Sequence, residues 1–339
     1  MEKILNDCIV TSRKGGAVLS PQYDKLCIFC HYDSDNQIAD YVVECVSALH
    51  RAGCHVYFVS NCPIIDDIYL NRIEPYVAHI LLRNNQGYDF GAYFTGYAFA
   101  KDEQHSLDHY KSILFVNDSV YGPFYPLEEV FNQMNSSRFD LWGLTDSFNG
   151  KYHIQSYFWV FKNEPKVREV LDSYLDPFEM IDDKGAVVGY YEVGICSKML
   201  RNGFNIGAMC PSERVICFEK WQSDDPHIAQ LKENIKATVK SKINVIKRIR
   251  AAFSKNRKLK YYHQVHSDLH AYCTGIYGSW YTLVKYFSCP FIKVSLLKGI
   301  NTYHYHECLY ACVLEELYPN YSLDLIEGHL KRVRSWGKK

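Results

Sequence analysis

Ser112-Ile113-Leu114-Phe115-Val116-Asn117-Asp118 sets four consecutive apolar residues directly before an amide and a carboxylate. A run this short, apolar throughout and closed by polar residues, reads as a strand covered on both faces, which is the condition of strands in parallel sheets. Outward from it the same pattern recurs at Leu26–Tyr32, Cys54–Ser60 and Val77–Leu82. Between these runs, Ile38–Arg51 aligns Ile38, Tyr41, Val42, Cys45 and Leu49 on one side of a helix, and a further helix spans Gly91–Lys101. Buried strands alternating with helices predict an α/β fold, a doubly wound, mostly parallel, Rossmann-like sheet of the nucleotide-binding type. Later in the chain Phe139–Gly143 and His153–Phe161 read as strands, the second alternating in polarity and so assigned to an edge. Val167–Leu175 and Tyr191–Asn202 read as helices, the last ended by Gly203.

In such sheets ligands bind outside the carboxyl ends of the strands, so the residues that follow each apolar run carry the functional signal. They are polar here: His31-Tyr32-Asp33-Ser34-Asp35, Ser60-Asn61, Arg83-Asn84-Asn85-Gln86-Gly87-Tyr88-Asp89 and Asn117-Asp118-Ser119. Four strand ends thus converge on one site.

Composition limits what that site serves. The 339 residues, 47% of them hydrophobic, suffice for a substantial core. The 28 Tyr and 18 Phe add aromatic surface of a kind that contacts sugars, bases or membrane interfaces. Thirteen irregularly spaced Cys, mostly within apolar strands and helices, suit reduced packing thiols. No signal-peptide pattern and no apolar stretch of about 18 residues are present, so the expectation is a cytoplasmic chain that does not span a membrane. Net charge is zero, yet residues 232–260 hold eleven of the 38 Lys and Arg against the single acid Glu233, making that segment +10 and the remainder −10. Ile228, Leu231, Ile235, Val239, Ile243, Ile246, Ile249 and Phe253 run through it at helical spacing, which predicts a basic amphipathic helix with an anionic partner.

Each candidate group has two readings. Asp118, at the mouth of a sheet, reads as a carboxylate that holds Mg²⁺ or Mn²⁺ on a diphosphate, or as the cap of the turn Ser119–Pro123. The loop from Arg83 to Gly91 offers backbone amides at a helix start, together with a cation, to a phosphate; otherwise it is a strand-to-helix turn with Asp89 as N-cap. Glu192, read as standing at a helix start, is either the base that takes a proton from an attacking hydroxyl or a first-turn acid favoured by the helix dipole. His153, Gln155 and Tyr157 share one side of a strand, as a sugar- or base-binding face or as sheet surface. His304, His306, Cys308 and Cys312 fit no common tetrahedral zinc spacing. No Gly-x-Ser-x-Gly elbow, His-Glu-x-x-His pair, P-loop or dinucleotide fingerprint occurs, which removes the readily recognised hydrolase and metalloprotease classes.

Arg83-Asn84-Asn85, Gly87-Tyr88-Asp89-Phe90-Gly91-Ala92-Tyr93, Asn117-Asp118, Trp142-Gly143 and His153-Ile154-Gln155-Ser156-Tyr157-Phe158, in this order and spacing, resemble the rhamnan synthesis protein F family. Tyr191-Glu192 with Ser197 and Gly203, and Pro290-Phe291-Ile292-Lys293, resemble its later motifs, so the likeness runs from about residue 25 to 300. The resemblance implies a GT-A-like glycosyltransferase that moves a sugar, usually rhamnose, from a nucleoside-diphosphate donor such as dTDP-rhamnose to a growing surface polysaccharide or polyprenyl-linked glycan. It implies that Asn84, Asn85, Gly87 and Asp89 line the donor nucleotide, with Arg83, Asn117, His153 and Gln155 beside it. Asn117-Asp118 takes the position of a metal-binding Asp-x-Asp, and Glu192 aligns with an inverting base. The chain is then expected to divide into a nucleotide-sugar-binding catalytic core at 1–225, a basic amphipathic segment at 226–262 and a helical region at 263–339 packed on the core. The basic helix is read as binding the anionic cytoplasmic face of a membrane, where lipid-linked acceptors lie, or else as packing on the core with a solvated basic face, with nucleic acid a poorer third. The rival readings are another Rossmann-like sugar-nucleotide enzyme and a non-catalytic protein of polysaccharide assembly at the membrane surface.

Overall fold

The computed structural model describes residues 7–149, 151–175, 178–222, 224–230, 278–298 and 309–335. Of the basic segment only its first few residues, up to 230, fall within that set; 231–277 lie outside the described residues, as do His304, His306 and Cys308. No described helix is long and apolar enough to cross a membrane.

The sheet is built from β1 (Ile9–Lys14), β2 (Lys25–His31), β3 (Cys54–Ser60), β4 (His79–Arg83), β5 (Ser112–Asn117), β7 (Leu141–Ser147), β8 (His153–Ile154), β9 (Phe158–Lys162) and β10 (Ile206–Cys210), while β6 (Val120–Tyr121) and β11 (Ile292–Lys293) form a separate ribbon. The order is β1-β4-β3-β2-β5-β9-β7-β10, with β8 paired to β7. The strands β2, β3, β4 and β5 are parallel to one another, as are β7 and β10. Alternation along each strand splits the core in two. Cys27 and Phe29 of β2 and Leu114 and Val116 of β5 pack beneath the helices Asp40–Arg51, Leu127–Met134 and Asp324–Ser335. Leu26, Ile28 and Cys30 of β2, with Ile113 and Phe115 of β5, face the helices Tyr88–Gln104, Pro165–Leu175 and Val193–Arg201. Each apolar side chain so enclosed contributes about 1.5–3 kcal/mol of transfer free energy, and both faces of the sheet supply them. This is the doubly wound α/β architecture expected from the sequence.

Three local expectations are corrected. His153–Phe161 is not one edge strand: it breaks at Gln155–Tyr157 into β8 and β9, and β9 lies inside the sheet, antiparallel to both β5 and β7. Its alternation came from the polar residues of the break, whereas Phe158 to Phe161 are buried without interruption, as an interior strand requires. The helix after β4 begins at Tyr88 and its N-cap is Gly87, held in the left-handed region at φ 71°, so Asp89 is inside the first turn and not the cap. Glu192 does not open a helix either. Lys184–Val187, a π-helical turn Val188–Glu192 and Val193–Arg201 succeed one another directly, and Glu192 closes the π turn. The strands β1 and β10 carry no motif and went unread.

Candidate active site

The parallel register brings the working ends level. Cys30 pairs with Asn117 across β2 and β5, and His31 pairs with Ser60 across β2 and β3. The residues just beyond therefore lie side by side at the carboxyl ends of these strands.

On the β2 side the acids are already neutralised. Arg332, on the helix Asp324–Ser335, donates to Asp33 at 2.9 Å and to Asp35 at 2.7 Å. Burial holds His31 neutral, with its pKa down at about 4, and its Nδ1 meets the Ser60 hydroxyl at 2.9 Å.

Asp118 is different. Its Oδ2 accepts the Tyr32 N–H at 2.9 Å, and its backbone carbonyl accepts the Tyr41 hydroxyl. Burial drives its carboxyl up to about 8, and the neighbouring charges of Asp89 and Asp33 push the same way, against the Tyr32 N–H and Lys298. Asn117, not Asp118, caps the following turn: its Oδ1 accepts the Ser119 N–H at 3.1 Å and the Ser119 hydroxyl, and its Nδ2 donates to Asp89 at 3.3 Å. Burial also raises Asp89, while Lys184 and Lys293 pull it back.

The 84–87 loop is fixed from below. Arg83 is fully buried; its guanidinium donates to Asn61 and, at 2.8 Å, to the Gln86 carbonyl. Gly91 makes this possible, since a Cβ there would stand 2.0 Å from the Gln86 oxygen and 2.9 Å from Arg83 Nη2. The Asn84 N–H bonds the Cys8 carbonyl at 3.0 Å, and the Cys8 thiol donates to the Gln86 side chain. Asn84, Asn85 and Gln86 are left exposed above Gly87, at the amino end of the helix Tyr88–Gln104. Arg83 thus acts on the loop.

Glu192 comes from the π turn and, like Asp89 and Asp118, acts on Lys293. It is 9% exposed, and its Oε1 accepts the Ser156 N–H at 2.6 Å. Burial raises its carboxyl above the usual range, opposed by His153, the Ser156 N–H and Lys293. His153 is buried, with Nδ1 at 2.7 Å from the Lys151 carbonyl. Gln155 and Tyr157 converge on Thr145, whose hydroxyl lies 2.7 Å from Gln155 Oε1 and 2.8 Å from the Tyr157 hydroxyl.

Lys293 joins the group from far along the chain and was not singled out as a site residue. The ribbon pairs Lys293 with Val120 and Ile292 with Tyr121, and the Val294 N–H bonds the Ser119 carbonyl. Gly122, at φ 126°, lets Pro290 lie against the turn, where a Cβ would be 2.3 Å from the Pro290 oxygen. Lys293 Nζ donates to the Ser119 hydroxyl at 2.9 Å and sits 4.3 Å from the centre of the Tyr157 ring. Burial lowers its pKa to about 8 in spite of Glu192, Asp89 and Asp118. The only sequence signal for it was the Pro290–Lys293 motif, which names a position without a role.

Hard divalent cations require several oxygen ligands. Here Asp118 has one oxygen engaged by Tyr32, the Asn117 oxygen is taken by Ser119, and an ammonium is within electrostatic reach. Among the described residues no group of three or more His, Cys, Asp or Glu could hold a metal ion. The protein donors present do not by themselves complete a Mg²⁺ or Mn²⁺ site at Asp118, so a cation there would draw its other ligands from a bound diphosphate.

A consequence of this electrostatic arrangement can be measured directly. A carboxyl with a folded pKa near 8 against an ordinary 3.8 resists an ionisation that the unfolded chain undergoes freely, so wild-type stability falls as pH rises from about 4 to about 8. Asp118→Asn keeps an acceptor for the Tyr32 N–H but cannot ionise. Its unfolding free energy in urea should exceed that of wild type by an amount that grows with pH, reaching on the order of a few kcal/mol by pH 8. A difference independent of pH would show that Asp118 ionises normally.

The family described as "Rhamnan synthesis protein F" matches residues 56–263. The chain is 29% identical over 168 residues to the "Uncharacterized protein y4gN" of Sinorhizobium fredii, an alignment that covers 48% of this chain and 43% of that protein. It is 28% identical over 191 residues to the "Virulence protein VirA" of Vibrio anguillarum, covering 55% of this chain and 60% of that one. In both cases the match takes in less than two thirds of the relative's length.

Proposed function

Since the chain belongs to the rhamnan synthesis protein F family, we propose that it transfers a sugar, with rhamnose favoured, from a nucleoside-diphosphate donor such as dTDP-rhamnose to a hydroxyl of a surface polysaccharide or polyprenyl-linked glycan. The family itself supports a glycosyltransferase-type role in polysaccharide synthesis. In this reading the core is GT-A-like and the nucleotide lies over the exposed Asn84 and Asn85, its diphosphate reaching toward Asn117 and Asp118. The acceptor oxygen attacks the anomeric carbon from the Glu192 side as its proton passes to the Glu192 carboxylate. The bond from that carbon to the phosphate oxygen breaks with its electron pair leaving on the nucleoside diphosphate, so the configuration inverts.

One observation carries the proposal. Glu192 is a buried carboxylate oriented by a backbone N–H at 2.6 Å and acts on Lys293 together with Asp89 and Asp118. The Ser156 N–H and hydroxyl orient the carboxylate, and burial makes it a stronger base than a surface glutamate. The π turn that delivers it is a departure from regular helix of a kind frequent at functional sites.

The deciding experiment incubates the protein with a panel of nucleotide sugars and measures nucleotide release with and without glycan acceptor, with the anomeric configuration of the product read by NMR. Transfer with inversion is expected. Isomerised sugar would indicate a different sugar-nucleotide enzyme. No release, with no heat of nucleoside-diphosphate binding in calorimetry, would indicate a non-catalytic assembly protein.

A further inference from the structure

We propose that Lys293 is an anion-binding residue of this site and supplies, through its ammonium, the positive charge that neutralises a diphosphate without a divalent cation. Three observations converge. The first is how firmly the residue is held: a two-residue ribbon, the Val294 N–H on the Ser119 carbonyl and the close approach allowed by Gly122 fix the backbone, while the Tyr157 ring supports the side chain. The second is its lack of internal satisfaction. Nζ has three donors, and the described partners are one hydroxyl, Ser119, and an aromatic face. Glu192, Asp89 and Asp118 act on it only through space. A largely enclosed ammonium is costly unless it meets an anion, and among the described residues Ser119 is the acceptor that its N–H groups meet. The third is location: Lys293 bonds the residue immediately after Asp118, above the carboxyl ends of β2 and β5, where ligands of such sheets lie. The donors around Asp118, by contrast, do not by themselves complete a metal site.

The anion site stands on these contacts alone, whereas naming its occupant as the diphosphate of a sugar donor rests on the proposed transfer reaction. An oxygen-rich dianion would accept the N–H that no described residue takes from Lys293, with the exposed Lys184 close enough to add charge. A leaving diphosphate gains negative charge as the sugar departs, and an ammonium fixed in advance stabilises that charge at no reorganisation cost.

The test uses the full chain and inorganic diphosphate, titrated by calorimetry in EDTA and again with MnCl₂. Wild type should bind in EDTA, and Mn²⁺ should not be required. Lys293→Met should weaken binding about ten- to a hundredfold, the loss expected for a charge-assisted hydrogen bond, and Lys293→Arg should restore most of it. Because Lys293→Met removes an enclosed charge without opening a core cavity, its thermal midpoint should match or exceed that of wild type, and measuring it separates lost binding from lost folding. Diphosphate that binds only with Mn²⁺, fails to bind at all, or binds Lys293→Met as well as wild type overturns the proposal. The failures are distinguishable. Nucleotide-sugar turnover that EDTA abolishes keeps sugar transfer and removes Lys293, whereas Lys293-dependent diphosphate binding with no turnover of any donor keeps the anion site and removes the transfer reaction.

Discussion

Glu192→Gln should lower sugar transfer by about 10²–10⁴-fold, the range of a lost general base, with the fold intact. The substitution is conservative where it matters structurally. Glutamine retains an Oε1 to accept the Ser156 N–H, and the site is 9% exposed, so the side chain has little freedom to find another arrangement. What disappears is the capacity to take a proton. The pH profile sharpens the expectation. Burial raises Glu192 and outweighs His153, Lys293 and the N–H and hydroxyl of Ser156, all of which favour ionisation, so its carboxyl titrates above the ordinary 4.5. Transfer by wild type should therefore be lost as pH falls through that raised value and regained above it. Steady-state nucleotide release in the presence of acceptor, with urea unfolding as control, measures both. Near-normal turnover by Glu192→Gln would remove the residue from the chemistry.

Arg83→Met should raise the KM for donor about ten- to a hundredfold while kcat and global stability change much less. Two effects compete. Deleting the guanidinium forfeits hydrogen bonds to Asn61 and the Gln86 carbonyl, each worth about 1.5–3 kcal/mol when the donor is charged. Against this, a fully buried guanidinium carries a desolvation penalty of several kcal/mol, and methionine fills much of the same volume. Globally these nearly offset. Locally they do not, because the Gln86 carbonyl is what holds the exposed Asn84-Asn85-Gln86 turn over Gly91, and the described contacts that remain are those with Cys8 and the bond from the Gln86 N–H to the Asn84 carbonyl. Arg83 is thus a positioning residue. Lysine, with one ammonium, cannot span both acceptors, so Arg83→Lys should fail to restore KM. A loss in kcat rather than KM would mean that the guanidinium reaches the diphosphate after all.

These two residues illustrate what a sequence discloses. The strands β2, β3 and β5 were legible because burial on both faces forces continuous apolar runs, and their exits were legible because parallel topology dictates where ligands bind. Glu192 and the 83–91 loop could be singled out as polar residues at element boundaries. The inward turn of Arg83 was not legible, since a sequence records charge but not which side of a loop the side chain takes. Lys293 was hidden for another reason: it reaches Ser119 across 174 residues through a strand two residues long, too short to leave a periodic signal. The break at Gln155–Tyr157 misled because polar site residues imitate the alternation of a half-exposed strand. Residues with local causes were readable, and those placed by packing from afar were not.

The bridge from Arg332 to Asp33 and Asp35 carries a consequence for how the molecule assembles. It spans 299 and 297 residues, about as distant a pairing as a chain of this length allows. Closing so wide a loop carries a large entropic cost before any bond rewards it, so contacts of this kind belong to the late stages of folding. The sheet can form from neighbouring βα units, but the region at the end of β2 is completed only when the helix Asp324–Ser335 docks. Detachment of that one helix would leave Asp33 and Asp35 at the end of β2 as uncompensated negative charge, repelling a diphosphate while the sheet beneath stays folded.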